Sequence, residues 1–128
     1  MLALKASVEA GAGRALLPAS GRAASPRTMV FDEIDTGIGG RAADAVGKKL
    51  KTLSASNQVL CVTHLPQIAV FADHHYVIEK KASGGRTRTY IRRVSGDQRT
   101  EEVARMLSGA KLTDASRKHA EQMIKSNA

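Results

Sequence analysis

The chain has 128 residues, 42% hydrophobic but only 3% aromatic and without Trp, which suits one domain with an aliphatic core. A formal charge of +8 points to phosphate or another polyanion, or to a piece of a larger protein whose other parts are acidic. The single cysteine, Cys61, excludes an internal disulfide and a cysteine-based zinc site, and no apolar run reaches the length of a membrane span.

Residues 1–11 carry Met1, Leu2, Leu4 and Val8 at roughly helical spacing, and a helix without an N-cap is expected there. The Gly/Ala/Ser/Pro/Arg-rich stretch 11–27 reads as a loop. A buried strand is predicted over 28–32 and a Gly-rich turn over 37–40. A helix follows over Ala42–Leu53, with Ala42, Ala43, Val46, Leu50 and Leu53 on one face. Gln58–Thr63, "QVLCVT", is a second apolar strand, with Cys61 buried and inert within it. A short helix with Pro66 in its first turn comes next. Tyr76–Lys80 and Arg88–Val94 form a hairpin around a Gly-Gly turn. Helices over Thr100–Leu107 and Thr113–Ile124 close the chain, the second capped by Thr113. Strand–helix–strand order with continuous apolar strands implies an α/β fold with a mostly parallel sheet flanked by helices.

In such sheets ligands bind beyond the carboxyl ends of the strands. The first strand runs into "DEID", with Asp32, Glu33 and Asp35, and the second into Thr63-His64. If these strands are neighbours, acids and an imidazole converge on one edge. One carboxylate there can hold Mg²⁺ through water, another can orient or deprotonate an attacking water, and a histidine can meet a terminal phosphate. Taken singly, each residue has a plainer reading. Asp32 can cap the loop, Glu33 can be a solvated charge, and His64 can be an N-cap or a satisfied histidine. Asp73, His74 and His75 read as a loop rather than a metal site.

"MVFDEID" resembles the Walker B strand of an ABC-type ATPase head. "DTGIGG" stands at the D-loop position, and "QVLCVTHLPQIAVFAD" is similar to the switch-histidine strand and its following helix. Together with "RTEEVARMLSGAKLTDASRKHAEQMI", these segments resemble the SMC-like heads of bacterial DNA-repair proteins, over nearly the whole chain except 11–27. The resemblance implies the C-terminal lobe of a three-layer P-loop NTPase, 1–128, binding ATP and Mg²⁺. It implies Asp32 as the Walker B aspartate supporting the metal and Glu33 as the group that activates water. His64 would be the switch histidine at the γ-phosphate, and Asp35, Thr36 and Gly37 would be D-loop residues facing the nucleotide and an opposing head. It further implies a cytoplasmic, nucleoid-associated parent that forms a head-to-head homodimer, contacts DNA, acts in double-strand-break repair and does not enter a membrane.

No G-x-x-x-x-G-K-[ST] loop and no "LSGGE"-like signature occur in the sequence. The chain is therefore expected to be a fragment beginning just after the signature, without Walker A or the coiled coil, and inactive as an ATPase alone. The competing reading is a non-catalytic DNA-binding or dimerisation scaffold that retains the lobe. Lys80, Lys81, Arg86, Arg88, Arg92 and Arg93 cluster on the hairpin, where alternation lets Arg86, Arg88 and Arg92 share a face. Contact with DNA phosphates and a solvated edge that discourages strand pairing are both open readings of that cluster.

Overall fold

A computed structural model describes residues 3–7, 25–109 and 111–127. Its centre is a parallel pair. Strand β2, Thr28–Phe31, runs beside β3, Gln58–Thr63, in the register Thr28↔Gln58 to Phe31↔Cys61. Helix α1, Gly40–Leu53, makes the crossover between them. Strand β1 spans Ala3–Ser7, and β4, His75–Ser83, pairs with β5, Arg86–Val94, as an antiparallel hairpin. The five strands stand in the order β2-β3-β1-β4-β5. Short helix α2 is Pro66–Ala69, and α3, Gly96–Ser108, and α4, Asp114–Ser126, complete the fold.

Three expectations change. The first is the buried strand over 28–32: β2 stands at the end of the strand order, so among the described residues it is flanked on one side only, with Thr28 and Val30 exposed and Met29 and Phe31 half-buried. The helix predicted over 1–11 is contradicted at Ala3–Ser7, which is a strand antiparallel to both β3 and β4. So short an apolar segment is ambiguous by periodicity, and a helix of that length has little stability of its own. The slot between β3 and β4 offers backbone partners on both sides, and hydrogen bonding decides the outcome. The remaining parts of that helix, and most of the loop expected over 11–27, lie outside the described residues. The sheet is also mixed rather than mostly parallel, because among the described residues only β2–β3 is a parallel pair.

The covered face of the sheet follows the two-residue period. Val59, Cys61 and Thr63 of β3 are buried, while Leu60 and Val62 are half-buried. Ala43 and Leu50 of α1 and Ile68 of α2 pack on Val59 and Cys61, joined by Phe31, Ile34 and Ile38. A second cluster joins Val70 and Phe71 to Val103 and Ala104 of α3 and Ala120 of α4. Gly47 lies where α1 meets the segment after α2. A Cβ there would overlap the Phe71 ring and come within 3.2 Å of the Gln67 carbonyl oxygen.

The ends of the elements follow local chemistry. Pro66 occupies the first turn of α2, where its missing N–H leaves no gap in the helix. Thr113 caps α4 through a reciprocal box: its Oγ1 accepts from the Ser116 amide at 3.1 Å, and the Thr113 amide donates to Ser116 Oγ at 3.0 Å. The hairpin strands reach further than predicted, to Ser83 and Arg86, leaving only Gly84 and Gly85 between them. Their φ angles of +57° and +74° suit the two-residue turn that matches strand twist.

Candidate functional site at the ends of the parallel strands

Because β2 and β3 are parallel neighbours in register, their carboxyl ends open on the same edge. Asp32 and Glu33 leave β2 there, and His64 leaves β3. Asp32 and Glu33 are exposed, and among the described residues neither carboxylate has a hydrogen-bond or ion-pair partner. Glu33 has φ +54°, the only left-handed backbone outside glycine among the described residues. Such a conformation is unfavourable for a residue with a Cβ and persists only where its surroundings enforce it. Here the turn does so: Thr36 Oγ1 donates to the Glu33 carbonyl at 3.1 Å, and the Ile38 amide donates to the Asp35 carbonyl at 3.3 Å.

The turn carries Asp35 inward to the end of β3. Its carboxylate is buried, at 4% exposure. Its Oδ2 accepts from the Thr63 hydroxyl, from the His64 amide at 2.9 Å, and lies 3.1 Å from His64 Nδ1. Thr63 Oγ1 in turn accepts from the Leu65 amide at 3.0 Å. Burial by itself would raise the Asp35 pKa. The Thr63 hydroxyl, the His64 amide and the charge of the His64 ring together outweigh it and hold the carboxyl below its ordinary value.

The carboxylate of Asp35, a residue expected in the D-loop, is enclosed and ties the β2 loop to β3. Thr36 and Gly37 remain exposed. His64 keeps its side chain 64% exposed while its Nδ1 faces Asp35. The Asp35–Thr63 contact escapes sequence reading because the two residues are 28 positions apart and Asp35 belongs to no periodic pattern. Its only sequence signal is that both strand ends carry polar side chains directly after apolar runs.

Among the described residues no three His, Cys, Asp or Glu side chains gather as a metal site. Asp73 pairs with Lys51, His74 Nδ1 meets Arg93 at 2.8 Å, and His75 is buried in β4, so that run diverges. A single exposed aspartate nevertheless suits Mg²⁺, which commonly keeps several waters and takes one or two carboxylates beside substrate phosphates. No helix among the described residues is long and apolar enough to cross a membrane.

An α/β unit with two acids and a histidine at the ends of adjacent parallel strands defines the class: a domain with an exposed polar edge at the carboxyl ends of its sheet. No family model matches the chain. Comparison with curated proteins is specific. The chain is 50% identical over 97 residues to the DNA repair protein RecN of Deinococcus radiodurans, which is 76% of this chain and 17% of that protein. It is 42% identical over 98 residues to RecN of Bacillus subtilis and 46% identical over 101 residues to RecN of Mycobacterium leprae, 77% and 79% of this chain. The chain is a RecN relative along this stretch, and it spans about 17% of the length of each of these proteins.

Proposed function

We propose that the chain is the Walker B half of an ATP-binding and ATP-hydrolysing head in a DNA-repair protein of RecN type, built on a three-layer P-loop NTPase plan. The observation that carries this is the set Asp32, Glu33 and His64 at one strand edge, in a chain 41–50% identical to RecN proteins over most of its length. Asp32 would support Mg²⁺, which when bound screens the charge of the nucleotide phosphates. Glu33, exposed and held rigidly by its turn, is the group to orient and deprotonate an attacking water. His64 stands across from it, with Nδ1 held by Asp35 and Nε2 available to a phosphate oxygen. Thr36 and Gly37 form the outer rim, where a second head would dock.

The missing Walker A loop favours a second reading for the chain by itself, a scaffold without catalysis. Mixing separates the two. ATP hydrolysis is measured for the purified chain, with and without a separately expressed lobe carrying Walker A. Turnover that appears only in the mixture and disappears with Glu33→Gln is the expected result. A folded, associated mixture without turnover would leave the scaffold reading.

A further inference from the structure

The β4–β5 hairpin is not absorbed by the strand-end site. Among the described residues its pairing to the rest of the sheet is short: β1 meets β4 at Ala3↔Val77 and Leu4↔Tyr76. Beyond that point, among the described residues, the two strands have only each other, and every residue from 80 to 93 is exposed. The ladder fixes which side chains share a face. Lys81 stands opposite Arg88, Ser83 opposite Arg86, Val77 opposite Arg92 and Glu79 opposite Tyr90, all on one side. Four cations therefore line one face of a projecting ribbon.

The acids on that ribbon are as informative as the bases. Glu79 is the only acidic residue between His75 and Val94. Its carboxylate lies 3.5 Å from Lys81 Nζ and 3.6 Å from Arg92, near the base of the ribbon. Arg86 and Arg88, at the tip, have no acidic partner among the described residues. The unbalanced charge is thus concentrated at the tip, beside a turn of Ser83, Gly84 and Gly85 that has no apolar bulk.

We propose that this ribbon is a DNA-contacting element that grips the phosphate backbone of duplex DNA, chiefly through Arg86 and Arg88, with Lys81 and Arg92 held partly in check by Glu79. The choice of DNA as the polyanion rests on the DNA-repair reading above, but not on the ATPase assignment. Side chains on one face of a strand recur every ~6.8 Å, which matches the axial rise of two phosphates of one DNA strand at ~3.4 Å each. A two-stranded ribbon also fits the width of the major groove. Discouraging edge pairing needs only a charge or two on β5, whereas here the inner strand β4 contributes as well. The apolar tip residues that would enter a lipid surface are missing. Tyr90 is the only aromatic on the cationic face, too few for a single-strand stacking platform.

The test is binding of the purified 128-residue chain to a short fluorescein-labelled duplex, followed by anisotropy across a salt series, with circular dichroism of each variant. Arg86→Gln with Arg88→Gln is expected to weaken binding about 10-fold at low salt. It should also reduce the slope of log K against log salt by about 2, since each phosphate contact contributes ~0.9. Glu79→Gln is expected to tighten binding several-fold by releasing Lys81 and Arg92. Lys48→Gln with Lys49→Gln on α1 removes the same charge away from the ribbon and is expected to change affinity less than about 2-fold. Equal loss from the α1 pair would show a general charge effect and overturn the proposal. So would unchanged affinity in the hairpin pair, no gain from Glu79→Gln, or preference for anionic vesicles over DNA. None of these readouts depends on ATP turnover, so a failure here is separable from a failure of the ATPase reading.

Discussion

Asp35 shows how one buried carboxylate can tie two strand ends together. It is buried, and it is tolerable there because two donors, the Thr63 hydroxyl and the His64 amide, converge on it beside the His64 ring. Removing it strands the Thr63 hydroxyl and the His64 amide. Asp35→Ala is expected to cost about 2–4 kcal/mol in urea unfolding, whereas Asp35→Asn, which retains an acceptor, costs less. The pH dependence has a definite sign. The folded-state pKa lies below the ordinary carboxyl value of about 3.9, so ionised Asp35 favours the folded chain above that value. That contribution is lost as pH falls through the lower folded-state value. The stability gap between wild type and Asp35→Asn should therefore narrow on acidification from neutral pH. A gap that stays constant or widens in acid would show that the carboxylate is not held in its charged form.

At the scale of elements, the position of the strand edge that carries Asp32, Glu33 and His64 depends on how closely α1 can approach the chain after α2. Gly47 permits that approach, since Phe71 fills the space a Cβ would occupy. Gly47→Ala improves intrinsic helix propensity by about 1 kcal/mol. Overpacking against an 8%-exposed Phe71 opposes this by about 1–3 kcal/mol. A net loss of stability is expected, read as a lower midpoint in thermal or urea unfolding, and Phe71→Leu in the same chain should restore part of it. A stabilised Gly47→Ala would mean that the ring moves aside freely. The half-buried guanidinium of Arg99 supports the same region. It donates to the carbonyls of Val70 at 3.0 Å and Ala72 at 2.8 Å, fixing the turn that joins α2 to β4.

At the scale of the whole molecule, the sheet has one covered face and one partly open face. Val30 is 67% exposed and Ile91 62% exposed, and both fall on the side of Leu60, Val62 and Ile78 in the strand register. An apolar sheet face of this kind favours self-association. Val30→Thr with Ile91→Thr keeps β-branched shape at both positions and removes apolar surface. Less light scattering at equal concentration, with an unchanged circular dichroism spectrum, is the expected result. Scattering unaffected by the substitutions would place the adhesive surface elsewhere.

What was legible in the residues was the local chemistry. Apolar continuity marks β2 and β3, Pro66 and Thr113 mark helix starts, and Gly84-Gly85 marks the hairpin turn, because each acts through a backbone preference within a few residues. The order Asp32-Glu33, then His64, likewise marked a shared strand edge, since a strand–helix–strand unit forces its two strand ends to the same side. Ala3–Ser7 was not legible: so short a segment takes the conformation that its neighbours leave open, here the slot between β3 and β4. Nor was the inward turn of Asp35, because its partners Thr63 and His64 reach it only after the loop has folded back. Sequence determined the elements and the chemical groups at their ends. Only the tertiary structure decided which groups face solvent and which one is spent holding the others, because burial and long-range hydrogen bonds exist only once the chain has closed on itself.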